Sequence, residues 1–329
     1  MPLIRIAQKL CPFSHEPGAR CFIPGTSYLV EAFPALVRIC EFSGNVLKEF
    51  PIPMPISMHE PMKEFTVMQN LERGCVTVFS KHYGIHVLPN LDIVDSKHPH
   101  LPPLIHQECL SLGSHKQLDV DLIRRKRDLL TLFPIWFKLG ALLKLPARSG
   151  DDRGMFSLLA ECRAARDSHH PETIISTFEK LMLAGFEAFL VPRAKDAQMQ
   201  GILPLGTPIN DDSPLYLLTE SAALIRALFI LTEDKEISLL PNCPPEFFAG
   251  RMTGVVASYG TLDLEWSKKT IRQLHFRAHT DGELILRFPP QMVSCRLRMH
   301  PNDKGRLFTC GDSLAIKSGS LYLWDRFQK

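Results

Sequence analysis

The residues best suited to chemistry lie in two places. Between Ser96 and His115 the chain carries His98, His100, His106, Cys109 and His115, and imidazole with thiolate suits zinc. The spacing matches no zinc knuckle, and His98-Pro99-His100 sits in a proline-rich stretch, so a connector is the plainer reading. His98, His100 and His106 stand as the candidate metal ligands, and no cofactor is expected. The second place is residues 211 to 236, where Asp211, Asp212, Glu220, Glu233, Asp234 and Glu236 cluster in sequence. Glu220, Glu233, Asp234 and Glu236 each fit a helix surface or a turn. The basic run Arg124 to Arg127 has the composition of an anion site, but four consecutive residues wrap around a helix, and Asp119, Asp121 and Asp128 compensate it. The sequence has no GxSxG, phosphate-binding loop, dinucleotide fingerprint, HExxH or CxxC.

Composition sets the frame for these groups. A chain of 329 residues with 45% hydrophobic and 22% charged residues has the make-up of a folded soluble protein, with more than one domain as the natural expectation. A formal net charge of +3 argues for neither a nucleic-acid nor a membrane partner. The nine cysteines are scattered singly, which is not the spacing of a disulfide scaffold, and they read as reduced thiols. No apolar run reaches signal-peptide or membrane-spanning length. A cytoplasmic location is the default expectation.

The periodicity of the chain changes twice. Residues 1 to 115 read as an N-terminal antiparallel β-sandwich. Ser27 to Phe42 is rich in aliphatic and aromatic residues around Pro34, which suits an edge or a bend, and FTVMQN, CVTVFS and GIHVLP follow as short strands. Pro51, Pro53 and Pro55 alternate with Ile52, Met54 and Ile56 in an extended connector. His82 and His86 read as strand residues. Residues 116 to 235 read as a helical segment of about five helices. The first should break at Pro134, PARSGDDR is a polar connector, Pro171 suits a first turn, and Ser213-Pro214 opens a helix running to about Thr232. Residues 236 to 329 read as a C-terminal antiparallel β domain, in which TLDLEW alternates Leu262, Leu264 and Trp266 against Asp263 and Glu265. The fold class is α+β.

The stretch from Glu236 to Trp266 carries a resemblance. Its Glu236, Ile237, Leu239, Leu240, Pro241, Pro244, Gly250, Gly254, Val255, Gly260, Leu262, Asp263, Glu265 and Trp266 resemble, in order and spacing, a junction in glycoside hydrolase family 95 fucosidase-type enzymes and, more distantly, family 65. There the helical toroid meets the C-terminal β domain. The resemblance covers about residues 214 to 276, and those enzymes also place a β-sandwich before the helices. It implies an α/α toroid between the β domains. A complete toroid of twelve helices needs roughly 200 residues, more than residues 116 to 235 supply, so the toroid is incomplete here.

In the family, a catalytic acidic residue lies in the loop entering the helix before the LLP strand. That position falls near Tyr216 in this sequence, with Asp211 and Asp212 a few residues earlier. Asp211 and Asp212 are therefore the candidate catalytic residues, and Tyr216 and Glu220 the candidate binding residues. Glycosidic cleavage needs two carboxyl groups across the scissile bond, and no motif identifies the second. The leading expectation is a non-catalytic, glycoside-hydrolase-like protein serving as a carbohydrate-binding, protein-binding or structural module. The alternatives are an active glycoside hydrolase with a reduced helical domain, and a protein-interaction adaptor without sugar affinity. Trp136, Trp266 and Trp324 all sit in patterns that suggest burial, which takes away the usual aromatic platforms for sugar.

Overall fold

Alternation of branched and polar residues builds the first part of the molecule. The computed structural model describes residues 4–7, 9–52, 64–81, 83–96, 108–113, 125–168, 170–196, 202–203 and 212–329. The first strands are β1 (Phe13–Ser14), β2 (Ala19–Phe22), β3 (Tyr28–Phe33), β4 (Leu36–Glu41), β5 (Val46–Pro51), β6 (Thr66–Asn70), β7 (Cys75–Phe79), β8 (Gly84–Val87) and β9 (Ile93–Asp95). They form two antiparallel sheets, ordered β1-β6-β7-β8-β9 and β2-β3-β4-β5. Val30, Ala32, Val37 and Ile39 of one sheet bury against Val67, Val76, Val78 and Val87 of the other, as the two inner faces of a sandwich do. Pro34 lies in the turn closed by the Phe33–Leu36 pair, where its missing N–H costs no ladder bond. Residues 53–63 and His82 are outside the described residues.

Strand β10 (Cys109–Leu112) precedes four helices among the described residues: α1 (Leu129–Leu142), α2 (Met155–Asp167), α3 (Pro171–Gly185) and α4 (Leu215–Phe229). The start of α1 is fixed by Asp128, whose side chain accepts from Leu130 N–H at 3.1 Å. The break expected at Pro134 is instead at Arg127, whose φ is 54°, and Pro134 lies inside α1. A proline there costs about 3 kcal/mol. Phe133, Ile135, Trp136 and Phe137 around it are all buried, and their packing outweighs that cost. Lys126 and Arg127 are exposed to solvent.

Helices α1 and α4 touch backbone to backbone at Gly140. A Cβ there would stand 2.4 Å from Leu218 O and 2.5 Å from Ala222 Cβ. Gly140→Ala is expected to lower stability by about 1–2 kcal/mol, despite the higher helix propensity of alanine, because the helices must move apart. A urea denaturation midpoint equal to or above wild type would contradict this close crossing.

A tight hairpin leads out of α3. Strands β11 (Phe186–Glu187) and β12 (Val191–Pro192) pair across residues 188–190, and Phe189 at the tip enters the core of the N-terminal sandwich. Arg20 donates to Glu187 at 2.7 Å beside it.

Helix α4 stops at Phe229 and the chain continues directly into β13 (Ile230–Glu233), so the expected helical end near Thr232 is extended. The β-branched Ile230 and Thr232 favour that change, and both pair with β14 (Glu236–Leu239) across a turn at Asp234. The remaining strands are β15 (Ala249–Ala257), β16 (Gly260–Ser267), β17 (Thr270–Ala278), β18 (Gly282–Arg287), β19 (Ser294–Arg298), β20 (Arg306–Thr309), β21 (Ser313–Ile316) and β22 (Leu321–Gln328). One sheet has the order β10-β15-β16-β17-β22-β19-β20 and the other β13-β14-β18-β21. The β14–β18 pair is parallel, and the other pairs are antiparallel. The architecture is α+β: a β-rich N-terminal region, a helical middle and a β C-terminal region.

Helices and C-terminal strands share one core, with Phe229 stacked on Trp266 at 5.1 Å and Phe133 against Phe247 at 5.2 Å. Trp136, Trp266 and Trp324 are all buried. Several of the residues in the Glu236 to Trp266 stretch have packing or turn-forming roles. Trp266 donates from Nε1 to Phe247 O at 2.9 Å, and its ring crosses Gly250 so closely that a Cβ would meet it at 2.4 Å. Gly254, at φ 69°, opens a bulge in β15 whose N–H is taken by Asp263 at 2.8 Å.

Candidate functional site

The polar connector at residues 146–153 delivers one arginine into the gap between α2 and α4. Arg148 stacks its guanidinium over the Phe156 ring at 4.3 Å, an arrangement a planar cation favours. Its side chain is only 6% exposed. Nε donates to Glu220 at 2.9 Å and Nη1 to Asp212 at 3.4 Å, while Nη2 donates to Asp152. Nη1 also reaches the Gly150 and Asp151 carbonyls at 3.0 and 2.7 Å. Arg163, on α2, donates to the other oxygen of Asp152 at 3.0 Å and to the other oxygen of Glu220 at 3.2 Å. Two arginines and two carboxylates thus close an alternating ring, and both oxygens of each carboxylate accept a guanidinium N–H.

The electrostatics follow from that geometry. Burial opposes ionisation of Asp152, but the hydrogen bonds from Arg148 and Arg163 outweigh it and hold the carboxyl below the usual aspartate value. Burial likewise works against the charge on Arg148, and Asp152 and Glu220 more than restore it. A carboxylate held in this way stays ionised at neutral pH, whereas a glycosidic general acid needs its pKa raised so that it can give up a proton there. What the ring can do is pin the connector and the start of α4 to α2.

The sequence-derived site residues fall around this ring. Asp212 and Glu220 both meet Arg148. Asp212 also lies against the Gly150 backbone, where a Cβ would stand 1.8 Å from its Oδ2. Tyr216 is partly buried against the helical core in the first turn of α4. Asp211, His98, His100, His106 and His115 lie outside the described residues. Cys109 is half-buried, and burial raises its thiol pKa. Among the described residues no three His, Cys, Asp or Glu side chains are grouped to hold a metal ion. Arg148, Asp152 and Arg163 escaped the sequence reading. Their only local signal is an arginine followed by two aspartates, which a solvated loop shows equally.

No family model matches the chain. No curated protein matches it either. Among solved structures, a GH127 β-L-arabinofuranosidase from Geobacillus stearothermophilus T6 is 9% identical, over 53% of this chain and 30% of that one, with a TM-score of 0.20. A score that low is no evidence of a common fold, and no property of that enzyme is transferred to this chain. No helix among the described residues is long and apolar enough to cross a membrane.

Two buried histidines lie away from the ring. His86 donates to or accepts from Thr77 at 2.9 Å, and His275 sits on β17 at 3% exposure with neither ring nitrogen hydrogen-bonded among the described residues. Burial lowers the pKa of each below the ordinary 6.5. For His275, Asp263 and Glu265 partly oppose the shift, and Arg298 adds to it. With folded-state values depressed, both imidazoles are neutral in the folded state, and stability is complete above the unfolded value. It is lost as the pH falls below 6.5 and through the folded values. The urea midpoint is therefore expected to fall between about pH 7.5 and 5, and by less in His275→Gln. An unchanged midpoint over that interval would contradict neutral burial.

Proposed function

We propose that the chain is a non-catalytic protein of glycoside-hydrolase-like layout that works as a carbohydrate-binding module. The observation that carries the reading is the engagement of Asp212 and Glu220 by Arg148, with Glu220 and Asp152 further shared by Arg163. Carboxylates whose oxygens already accept guanidinium N–H groups are engaged in holding the connector to the helices, not turned toward a substrate. The arrangement of a β-sandwich, a short helical segment and a second β region supports the same reading, since a shortened toroid leaves little wall for a catalytic cleft. Fold-level layout does not itself establish activity.

Aryl glycosides of several pyranoses and furanoses test the non-catalytic half of the proposal. The wild-type protein is expected to release no more aryl alcohol than the Asp212→Asn protein. Release by wild type that disappears in Asp212→Asn or Glu220→Gln would show an active hydrolase instead.

A further inference from the structure

The outward face of the seven-stranded sheet has a depression at its β10 edge. Opposite residues of β10, β15 and β16 form two rows there. Ser111, Arg251 and Glu265 are in register in one row, and Ala249 faces Ser267 in the next. Gly113 joins that second row by its N–H bond to Ala249 O at 3.2 Å. The row of small residues makes a floor, the charged row makes one wall, and Ala7 of the N-terminal segment borders the opening. The other wall is Phe248, which is 54% exposed. Its position is set from behind, because Lys269 N–H donates to its carbonyl at 3.3 Å and the buried Trp266 donates to Phe247 O at 2.9 Å. The cleft measures about 610 Å³, within the roughly 300–1,000 Å³ usual for small-ligand sites.

We infer that this cleft, lined by Phe248, Arg251, Glu265, Ser111 and Ser267, binds an uncharged saccharide of one or two rings. The inference rests on the carbohydrate-binding reading above and adds the place and the groups. Three features select the ligand class. Arg251 donates to Glu265 Oε1 from Nε at 3.2 Å and from Nη2 at 3.0 Å, and from Nη1 to Arg5 O at 3.3 Å, so the pair carries no net charge and favours neither an anion nor a cation. The second N–H of each terminal guanidinium nitrogen and Glu265 Oε2 take no part in those bonds, and a donor beside an acceptor matches two neighbouring hydroxyls, one accepting and one donating. The Phe248 ring offers an apolar surface to the C–H face of a sugar, and the two serine hydroxyls supply further partners. An exposed aromatic ring on a backbone fixed by the Lys269 and Trp266 hydrogen bonds, beside a neutral polar pair, is a binding surface whose backbone ordering cost is already met by the fold.

Calorimetric titration of the full chain with cellobiose, maltose, xylobiose and N,N′-diacetylchitobiose tests the inference. At least one sugar is expected to give saturable heat. Phe248→Ala and Glu265→Gln should each weaken it by about tenfold. Both changes are at exposed or half-exposed side chains, so melting temperatures should match wild type. Saturation transfer from the protein's aromatic protons to the sugar should also drop in Phe248→Ala. Val293→Ser, at an exposed residue at the opposite end of the sheet, should bind as wild type does. If none of these sugars binds the wild-type chain, the carbohydrate-binding reading itself falls. If a sugar binds wild type and both cleft variants with equal affinity, the reading stands and the cleft is excluded.

Discussion

Replacing Phe189 with alanine should remove about 3–5 kcal/mol of stability. Phe189 is 3% exposed, and it comes from the β11–β12 hairpin of the helical region, yet it packs in the core of the N-terminal sandwich. The hairpin reaches that core at a cost. Ala188 and Leu190, on either side of Phe189, have φ of 41° and 56°, values that L side chains avoid. Such a turn persists only because the burial between those residues over-determines it. Removing the ring leaves a void that the surrounding valines cannot fill, and it takes away the reason for the strained turn. The backbone bond from Phe189 N–H to Arg20 O at 3.3 Å and the Arg20–Glu187 pair remain, but an exposed ion pair contributes little. Urea unfolding should therefore show a lower midpoint and a broader or split transition, as the sandwich loosens from the helices. A loss below about 1 kcal/mol would mean that the side chain does not anchor the two regions.

The second large effect is expected at Arg148. Breaking a buried ion pair by removing one partner typically costs about 3–5 kcal/mol, because a charge is left without compensation. Asp152, Asp212 and Glu220 are 38%, 21% and 26% exposed at the side chain, so water can solvate part of what Arg148→Ala uncovers. The expected loss is therefore near the lower limit, about 3 kcal/mol. Arg148→Lys should rescue little of it, since an ammonium neither stacks on Phe156 as a plane nor donates in several fixed directions. Arg163→Ala, at a side chain 36% exposed, should cost only about 0.5–1 kcal/mol. The sign of the pH dependence is a further check. The lowered Asp152 carboxyl stabilises the fold above its unfolded value of 3.8, and that share is lost as the pH falls through the folded value. The difference between wild type and Arg148→Ala should shrink in acid, and a difference that is constant with pH would point to lost packing on Phe156 alone.

Short-range pattern made much of this molecule readable from its sequence. Val37 and Ile39, Val76 and Val78, and Leu262, Leu264 and Trp266 alternate as strands with one buried face must, and they are buried in the structure. Pro34 suited an edge or a bend, and it lies in the turn between β3 and β4. The places where sequence reasoning stopped have physical causes. Pro134 reads as a helix breaker because its local cost is legible, while the packing of Trp136 and Phe137 that outweighs it is not. The CLSL run of β10 has strand periodicity, but its partner is β15, 140 or so residues later in the chain, and alternation does not name partners. Phe189 sits in a short apolar run between a helix and Pro192, and its destination in another region's core leaves no local mark. The arginine ring joins residues 148, 152, 163 and 220 from two helices and a connector, so no spacing in the sequence reveals it. Asp212 and Glu220 were identifiable as carboxylates near the junction, but not the guanidiniums that hold them.

One measurement addresses binding and chemistry together. Proton spectra of the saccharide that binds, recorded over time with the full chain present, report contact through saturation transfer and cleavage through the anomeric signals. The expected result is transfer to the sugar with the anomeric signals unchanged, as for a ligand that is held and released intact. New reducing-end signals that grow with wild type and are absent with Asp212→Asn would contradict a binding protein whose junction carboxylates are committed to arginine.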